Sequence, residues 1–322
     1  MLWQPRQLTD CNGIEDLAVT KNDILQNLAG VFCPVVTPFN KRGGVDEGFF
    51  RENLSRLTGI GLGGMLVAGS TGEAPYLAER ERLRLVEVAR EIVKAPEILL
   101  AGTGLESTQA TLDLSREAVA RGADALLVLT PNYYKARMDA DALVAHYRTV
   151  GAGVKRPVLI YSIPQFTGLE VPPATIGRLS RLPNVVGLKE SSGKLDFVRA
   201  VMKGVRPGFR VLVGAVSIFY ESLCEGAVGA VLGLANFAPG LCVGLHQAFL
   251  HRQAAEARDL QQRLLPLGQK IGGPHGVAGI KAAVDLCGSH GGATRLPLLP
   301  VSAQVKKQIA AALREAHAGL AI

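Results

Sequence analysis

Four short stretches of the sequence put reactive or hydrogen-bonding side chains at or just past the ends of apolar runs. VVGLKES (185–191) ends its run on Lys189, and PVLIYSIP (157–164) carries Tyr161. AGSTGE (68–73) supplies Ser70, Thr71 and Gly72, and TPNYY (130–134) supplies Tyr133 and Tyr134. A charge at the end of a buried run is costly unless it is paired or used. An unprotonated amine is a nucleophile, and burial in an apolar strand end favours that form for Lys189. A phenol can pass a proton to or from a reacting oxygen. A small-residue turn leading into a helix offers backbone N–H groups and a favourable dipole to a carboxylate. Carboxylates are scarce nearby, with only Glu73 and Glu190 just beyond their runs. One amine, one phenol, paired hydroxyls and little negative charge suit an anionic carbonyl substrate. Plainer roles compete: Lys189 as the point where a strand surfaces, Tyr161 as a strand aromatic, AGSTGE as an ordinary turn. Asn236, at the end of the last apolar run, reads as a helix cap or pocket wall.

The elements that must hold these residues alternate along the chain. Strand-like runs fall at 31–38, 64–69, 97–104, 123–131, 157–164, 185–191, 209–216 and 226–236. Amphipathic stretches with three- and four-residue spacing lie between them, as at 47–58, 78–94, 107–121 and 139–150. Alternating strands and helices mean a parallel sheet, and eight such units suit a closed (β/α)₈ barrel. The active face of such a barrel is the C-terminal end of its strands. There the sequence places Thr37, Ser70 with Thr71, Thr103, Thr130, Tyr161, Lys189, Gly214 and Asn236. After 237 the strand signal stops, and 240–265, 277–287 and 302–316 read as helices packed beside the barrel. The expected organisation is an N-terminal extension (1–29), the α/β barrel (30–237) and a C-terminal helical region (238–322).

Other signals are weaker. GIGLGG (59–64) fits G-x-G-x-x-G, but it follows a helix and precedes a strand, the reverse of a dinucleotide fingerprint. AGSTGE also resembles a nucleophile elbow, which would make Ser70 a hydrolase nucleophile, yet no strand end supplies a histidine. The five cysteines, Cys11, Cys33, Cys224, Cys242 and Cys287, are far apart and contain no C-x-x-C. They point to a reducing, cytoplasmic setting. The histidines show no metal-ligand spacing, so no metal is expected. The net charge of +7 is spread among solvated helix faces such as ERERLRLVEVAREIVK, and nucleic-acid binding is not expected. No apolar run approaches the ~18 residues that cross a bilayer, so no membrane span is expected. The first 29 residues lack the apolar core of a signal peptide and carry Asp10, Glu15, Asp16 and Asp23, unlike a transit peptide.

GSTGE, TPNYY, YSIPQFTG and GLKES, in this order on strands two, four, five and six, resemble the dihydrodipicolinate synthase and N-acetylneuraminate lyase family. The resemblance runs from about residue 30 to 315. It implies a class I, pyruvate-dependent aldolase on a (β/α)₈ barrel, assembled as a homotetramer of two tight dimers. By resemblance Lys189 forms the Schiff base with the 2-keto carbon, and Tyr161 is the proton shuttle. Ser70 and Thr71, with Gly72 beside them, bind the keto-acid carboxylate and help relay the proton. Tyr133, with Tyr134 as the alternative, reaches across the dimer interface into the neighbour's site. The covalent imine serves as the electron sink, so no added cofactor is expected. Phe166 departs from the synthases, which usually carry an arginine there for the aldehyde's carboxylate; a phenyl ring cannot make that contact. LLAGTGLESTQAT, TPNYYKARM, IYSIPQFTGLEVP and HGGATRLPL are similar to 4-hydroxy-2-oxoglutarate aldolase. The resemblance thus implies cleavage of 4-hydroxy-2-oxoglutarate to pyruvate and glyoxylate. The second reading is dihydrodipicolinate synthase (4-hydroxy-tetrahydrodipicolinate synthase), condensing pyruvate with aspartate semialdehyde. A non-catalytic keto-acid-binding barrel is the third.

Overall fold

The computed structural model describes residues 21–317. Eight strands pair in sequence order, every pair parallel, and β8 returns to β1 to close the barrel. They are β1 (Gly30–Pro34), β2 (Gly64–Val67), β3 (Ile98–Gly102), β4 (Ala125–Leu129), β5 (Val158–Ser162), β6 (Val185–Glu190), β7 (Arg210–Val213) and β8 (Gly229–Val231). All eight runs read from the sequence are strands. They are apolar at consecutive positions because both faces are covered. Phe32, Leu66, Leu100, Leu127, Leu159 and Leu212 fill the barrel interior. Their neighbours Cys33, Val67, Leu99, Leu126, Ile160 and Val211 pack outward under the helices.

The helices between strands begin where short polar side chains can take up free N–H groups. Asp46 accepts from the Phe49 N–H, Ser107 from Ala110, and Asp139 from both Asp141 and Ala142. The extension expected over 1–29 is in part structural. Helix Lys21–Asn27 delivers Ile24, and Leu28 follows it; both are fully buried in the same cluster as Phe32 and Leu66. They plug the N-terminal end of the barrel. Residues 1–20, Cys11 among them, lie outside the described residues. Among the described residues no helix is long and apolar enough to cross a membrane.

The single helix read over 240–265 is two, Pro239–Leu250 and Ala254–Leu267, parted by a tight turn with Arg252 at φ 60°. The first packs against β1, so the barrel's eighth helix falls in the segment assigned to the C-terminal region. Beyond Leu267 come a wide π-helical turn (Gly268–Gly272) and helix Gly273–Leu286, which is broken at Gly276. Helix Ala303–His317 closes the described chain.

One irregularity sets the orientation of the central lysine. Val158 pairs with Val185, but Leu159 pairs with Gly187, so Val186 is an extra residue on β6. Side chains alternate faces along a strand, and one inserted residue reverses every later one. From there Leu159 and Gly187, then Tyr161 and Lys189, stand as partners in the same register. Glycine is needed at 187, because a Cβ there would lie 2.5 Å from the Arg210 carbonyl oxygen on β7. Gly187→Ala is therefore expected to destabilise the protein by about 1–3 kcal/mol through overpacking. It should also lower the reactivity of Lys189 two residues on. Urea unfolding beside amine-trapping kinetics checks this; wild-type values in both would show that the strand pair has slack.

Candidate active site

A cavity of about 410 Å³ opens at the C-terminal end of the barrel. Ser70, Thr71, Tyr161, Phe166, Lys189 and Gly214 all lie on its wall. Lys189 and Tyr161 are buried, each 4% exposed. The Lys189 Nζ sits 4.1 Å from the centre of the Tyr161 ring. The Tyr161 hydroxyl shares a 3.2 Å hydrogen bond with Ser70 Oγ. Amine, phenol and hydroxyl thus form a continuous series from β6 across β5 to the turn after β2, within reach of one small bound molecule.

The turn that carries Ser70 and Thr71 is bracketed by two non-glycine residues in the left-handed region, Ala68 at φ 53° and Glu73 at φ 58°. Such conformations cost on the order of 1–3 kcal/mol each and persist where surrounding contacts over-determine them. The N–H groups of Gly72 and Ala74 bond to the Gly69 carbonyl, and that of Glu73 to the Ser70 carbonyl. Among these turn bonds none uses the backbone N–H of Ser70 or Thr71. The helix-dipole contribution expected from the sequence drops out, since only the short 3₁₀ turn Ala74–Tyr76 follows and helix Glu79–Ile92 starts later.

Four residues singled out in the sequence stand elsewhere. Asn236 is not on the cavity wall. Its amide donates to the carbonyls of Pro34 (2.9 Å) and Gly233 (2.9 Å) and accepts from the Val36 N–H (3.0 Å). It straps the end of β8 to the end of β1. Gly72 lies behind the wall, where its carbonyl accepts from the Thr37 hydroxyl at 2.8 Å; a Cβ would stand 3.0 Å from the Val35 oxygen. Tyr133 and Tyr134 project from the surface, 75% and 72% exposed, and neither lines the cavity of a single chain. Glu106 holds their loop by accepting the N–H groups of Asn132 and Tyr133.

The other strand-end hydroxyls are likewise structural or buried, as with Thr103, which bonds Ser115 at 2.8 Å. Glu190 is buried on the outer face of β6, opposite in direction to Lys189. It accepts the Ser192 N–H at 2.6 Å, and burial pushes its carboxyl above the usual range. None of the described histidines lies on the wall, so Ser70 lacks the base that a hydrolase would need. Among the described residues no group of three or more histidines, cysteines or carboxylates could hold a metal.

The C-terminal region does more than pack beside the barrel. Gly268, Gln269, Gly276, Val277 and Ile280 roof the cavity. Ile163, Gln165 and Ser217 complete the wall between the roof and Lys189. The one sequence signal for this roof is the glycine-rich break LGQKIGGPHG (267–276), and π-turns recur at functional sites.

With this geometry in place, comparison with known proteins is decisive. The family model of the dihydrodipicolinate synthetase family matches residues 27–316. The chain belongs to that family. It is a class I carbon–carbon lyase of the lysine Schiff-base type. A 4-hydroxy-tetrahydrodipicolinate synthase from Methanothrix thermoacetophila is 35% identical over 274 residues, 85% of this chain and 92% of that one. Among solved structures, YagE, a prophage protein of the family from E. coli K12 in complex with pyruvate, matches at 29% identity with a TM-score of 0.85. The match covers 89% of this chain and 98% of that one. A monomeric dihydrodipicolinate synthase variant matches at 30% identity with a TM-score of 0.87, covering 91% and 98%. The synthase name carried by the relative favours the reading placed second from sequence over the 4-hydroxy-2-oxoglutarate cleavage placed first.

Asn236→Ala separates strap from ligand. Losing the amide leaves buried backbone groups unpaired, so stability should fall by about 1–3 kcal/mol. Half-saturating pyruvate should change by less than about twofold, since this substitution removes no cavity contact. A large rise in half-saturation with no loss of stability would make Asn236 a substrate ligand after all.

Proposed function

We propose that the chain condenses pyruvate with an aldehyde through an imine on Lys189, the reaction type of a 4-hydroxy-tetrahydrodipicolinate synthase with aspartate semialdehyde as partner. The observation that carries the reading is the series Lys189, Tyr161, Ser70 at one cavity wall. The neutral amine attacks the C2 ketone of pyruvate, and water leaves to give an iminium. That cation withdraws electrons from C3, which loses a proton and becomes a nucleophilic enamine. The enamine adds to the aldehyde carbon, and the new alkoxide takes its proton from Tyr161, which is re-supplied through Ser70 with the proton that C3 released; water or an amine of the product then attacks C2 and frees Lys189. The donors of Ser70 and Thr71 hold the pyruvate carboxylate, with no cofactor besides the imine.

A second reading is favoured by a single observation. Phe166 stands 67% exposed on the cavity wall, where it offers no ionic contact to an aldehyde's carboxylate. Run in reverse, the same machinery would cleave 4-hydroxy-2-oxoglutarate to pyruvate and glyoxylate. A homotetramer of tight dimers suits the exposed Tyr133, which would complete a neighbour's site. The widely separated free cysteines suit work in the cytoplasm.

Borohydride added with pyruvate should leave a reduced adduct on Lys189 alone, found by peptide mass, and Lys189→Ala should abolish both adduct and turnover. Tyr161→Phe should slow turnover by about 10²–10⁴-fold while the adduct still forms. A wild-type chain without adduct would sink the reading, leaving a binding barrel. Turnover of pyruvate with aspartate semialdehyde, measured beside pyruvate release from 4-hydroxy-2-oxoglutarate, decides the second substrate. If Tyr133 completes a neighbour's site, Tyr133→Phe should cost activity comparably to Tyr161→Phe, and dilution to monomers should abolish it. A fully active monomer would refute the shared site.

A further inference from the structure

Glu73 and Lys281 form the most deeply buried ion pair among the described residues, with side chains 0% and 1% exposed and Nζ 2.5 Å from Oε1. Neither side chain lies on the cavity wall, yet both are one short step from it. Glu73 follows Ser70, Thr71 and Gly72 in the left-handed turn, and its N–H closes that turn onto the Ser70 carbonyl at 3.1 Å. Lys281 follows Ile280, which roofs the cavity.

The pair is enclosed on every side. The second Glu73 oxygen accepts the Arg295 N–H at 2.8 Å, and Lys281 also donates to the Ala293 carbonyl at 2.7 Å. Lys281 and Arg295 both lie against the Phe39 ring, 4.4 and 4.2 Å from its centre. Arg295, in the stretch HGGATRLPL, reaches on to Glu81 and to the carbonyls of Tyr76 and Gly43.

We propose that Lys281 is a positioning residue for the keto-acid site, cancelling the buried charge of Glu73 so that the adjoining Ser70–Thr71 turn can accept a substrate carboxylate. This rests on the Schiff-base reading above. The Glu73 carboxylate, on the residue that closes the left-handed turn, lies two and three residues from the hydroxyls of Thr71 and Ser70, which must receive another carboxylate. Unneutralised in a low-dielectric interior, it would repel the substrate. Lys281 removes that repulsion and at the same time ties the C-terminal roof to the turn.

The pair predicts opposite signs for its two members, which a merely structural contact does not. The readout is the pyruvate concentration that half-saturates borohydride trapping at Lys189 in the full chain, taken with the thermal midpoint. Lys281→Met should raise half-saturation by about tenfold or more, since it leaves Glu73 uncompensated. Glu73→Gln should lower it, leaving the lysine's positive charge near the turn. The double variant Glu73→Gln with Lys281→Met should return to within about threefold of wild type, the coupling expected of a contacting pair. Should Lys281→Met fail to fold, the Glu73→Gln and double variants still decide the sign. A raised half-saturation in Glu73→Gln, or a double variant no better than Lys281→Met, overturns the proposal. So does a folded Lys281→Met with wild-type half-saturation. Trapping in the wild type with any of these outcomes refutes this proposal alone, whereas an untrapped wild type would also refute the Schiff-base reading.

Discussion

The extra residue on β6 is the constraint on which the site depends. Had Val186 taken Leu159 as its partner in regular register, Lys189 would turn outward under the helices, and Glu190 would take its place in the barrel. The cavity would then present a carboxylate where an amine is needed. The bulge is held by close packing, because the strand carries a glycine where β7 approaches and apolar residues on both sides. A bulge re-aims a side chain at a fixed place in a sheet. Here it brings an amine-bearing side chain above the last interior layer, onto the face of a tyrosine from the neighbouring strand.

The same logic explains why chemistry occurs at one end of the barrel only. The interior is filled from Ile24 and Leu28 at the bottom up to Tyr161 and Ile163, which leaves no passage through it. The cavity that holds Lys189 opens where the strands stop. That volume gains its roof from residues far along the chain, on a π-turn and on a helix broken at Gly276. The roof is anchored at Lys281 and Arg295 to the turn after β2, so the barrel and the C-terminal region form one site. A barrel cut at 237 would lose both the roof and the counter-charge of Glu73.

How much was legible in the sequence follows from which interactions are local. The strands were readable because a parallel strand buried on both faces must be apolar throughout. Lys189, Tyr161, Ser70 and Thr71 were readable because polar groups at the ends of such runs need a reason to be there. Asn236 and Gly72 had the same appearance, yet their polar groups are consumed by backbone groups of β1 and its loop and by the Thr37 hydroxyl, contacts 200 and 35 residues away. No local pattern separates an amide facing a ligand from one that straps two strands. Arg252 in the left-handed region, which splits the helix read over 240–265, has no signal in side-chain periodicity. Lys281 looked like any helix lysine, because its partner is set by tertiary packing.

Electrostatics then narrows what the cavity can take. Its wall is mainly apolar, with the amine, the phenol and small hydroxyls gathered on the side of β5, β6 and the turn after β2. In the proposed reaction a substrate carboxylate would be drawn to that side, where the buried carboxylate of Glu73 is matched by Lys281. The rest of the wall includes Phe166, Gln165, Ser217 and Gln269, which offer apolar surface, amides and a hydroxyl but no charge. A second carboxylate on the aldehyde would meet neutral hydrogen-bond donors there, a weaker and less directional hold than a guanidinium fork. Under the proposed condensation, selection of the aldehyde would rest on cavity shape and amide hydrogen bonds, with the roof glycines at 268, 272 and 276 setting how much room those groups leave.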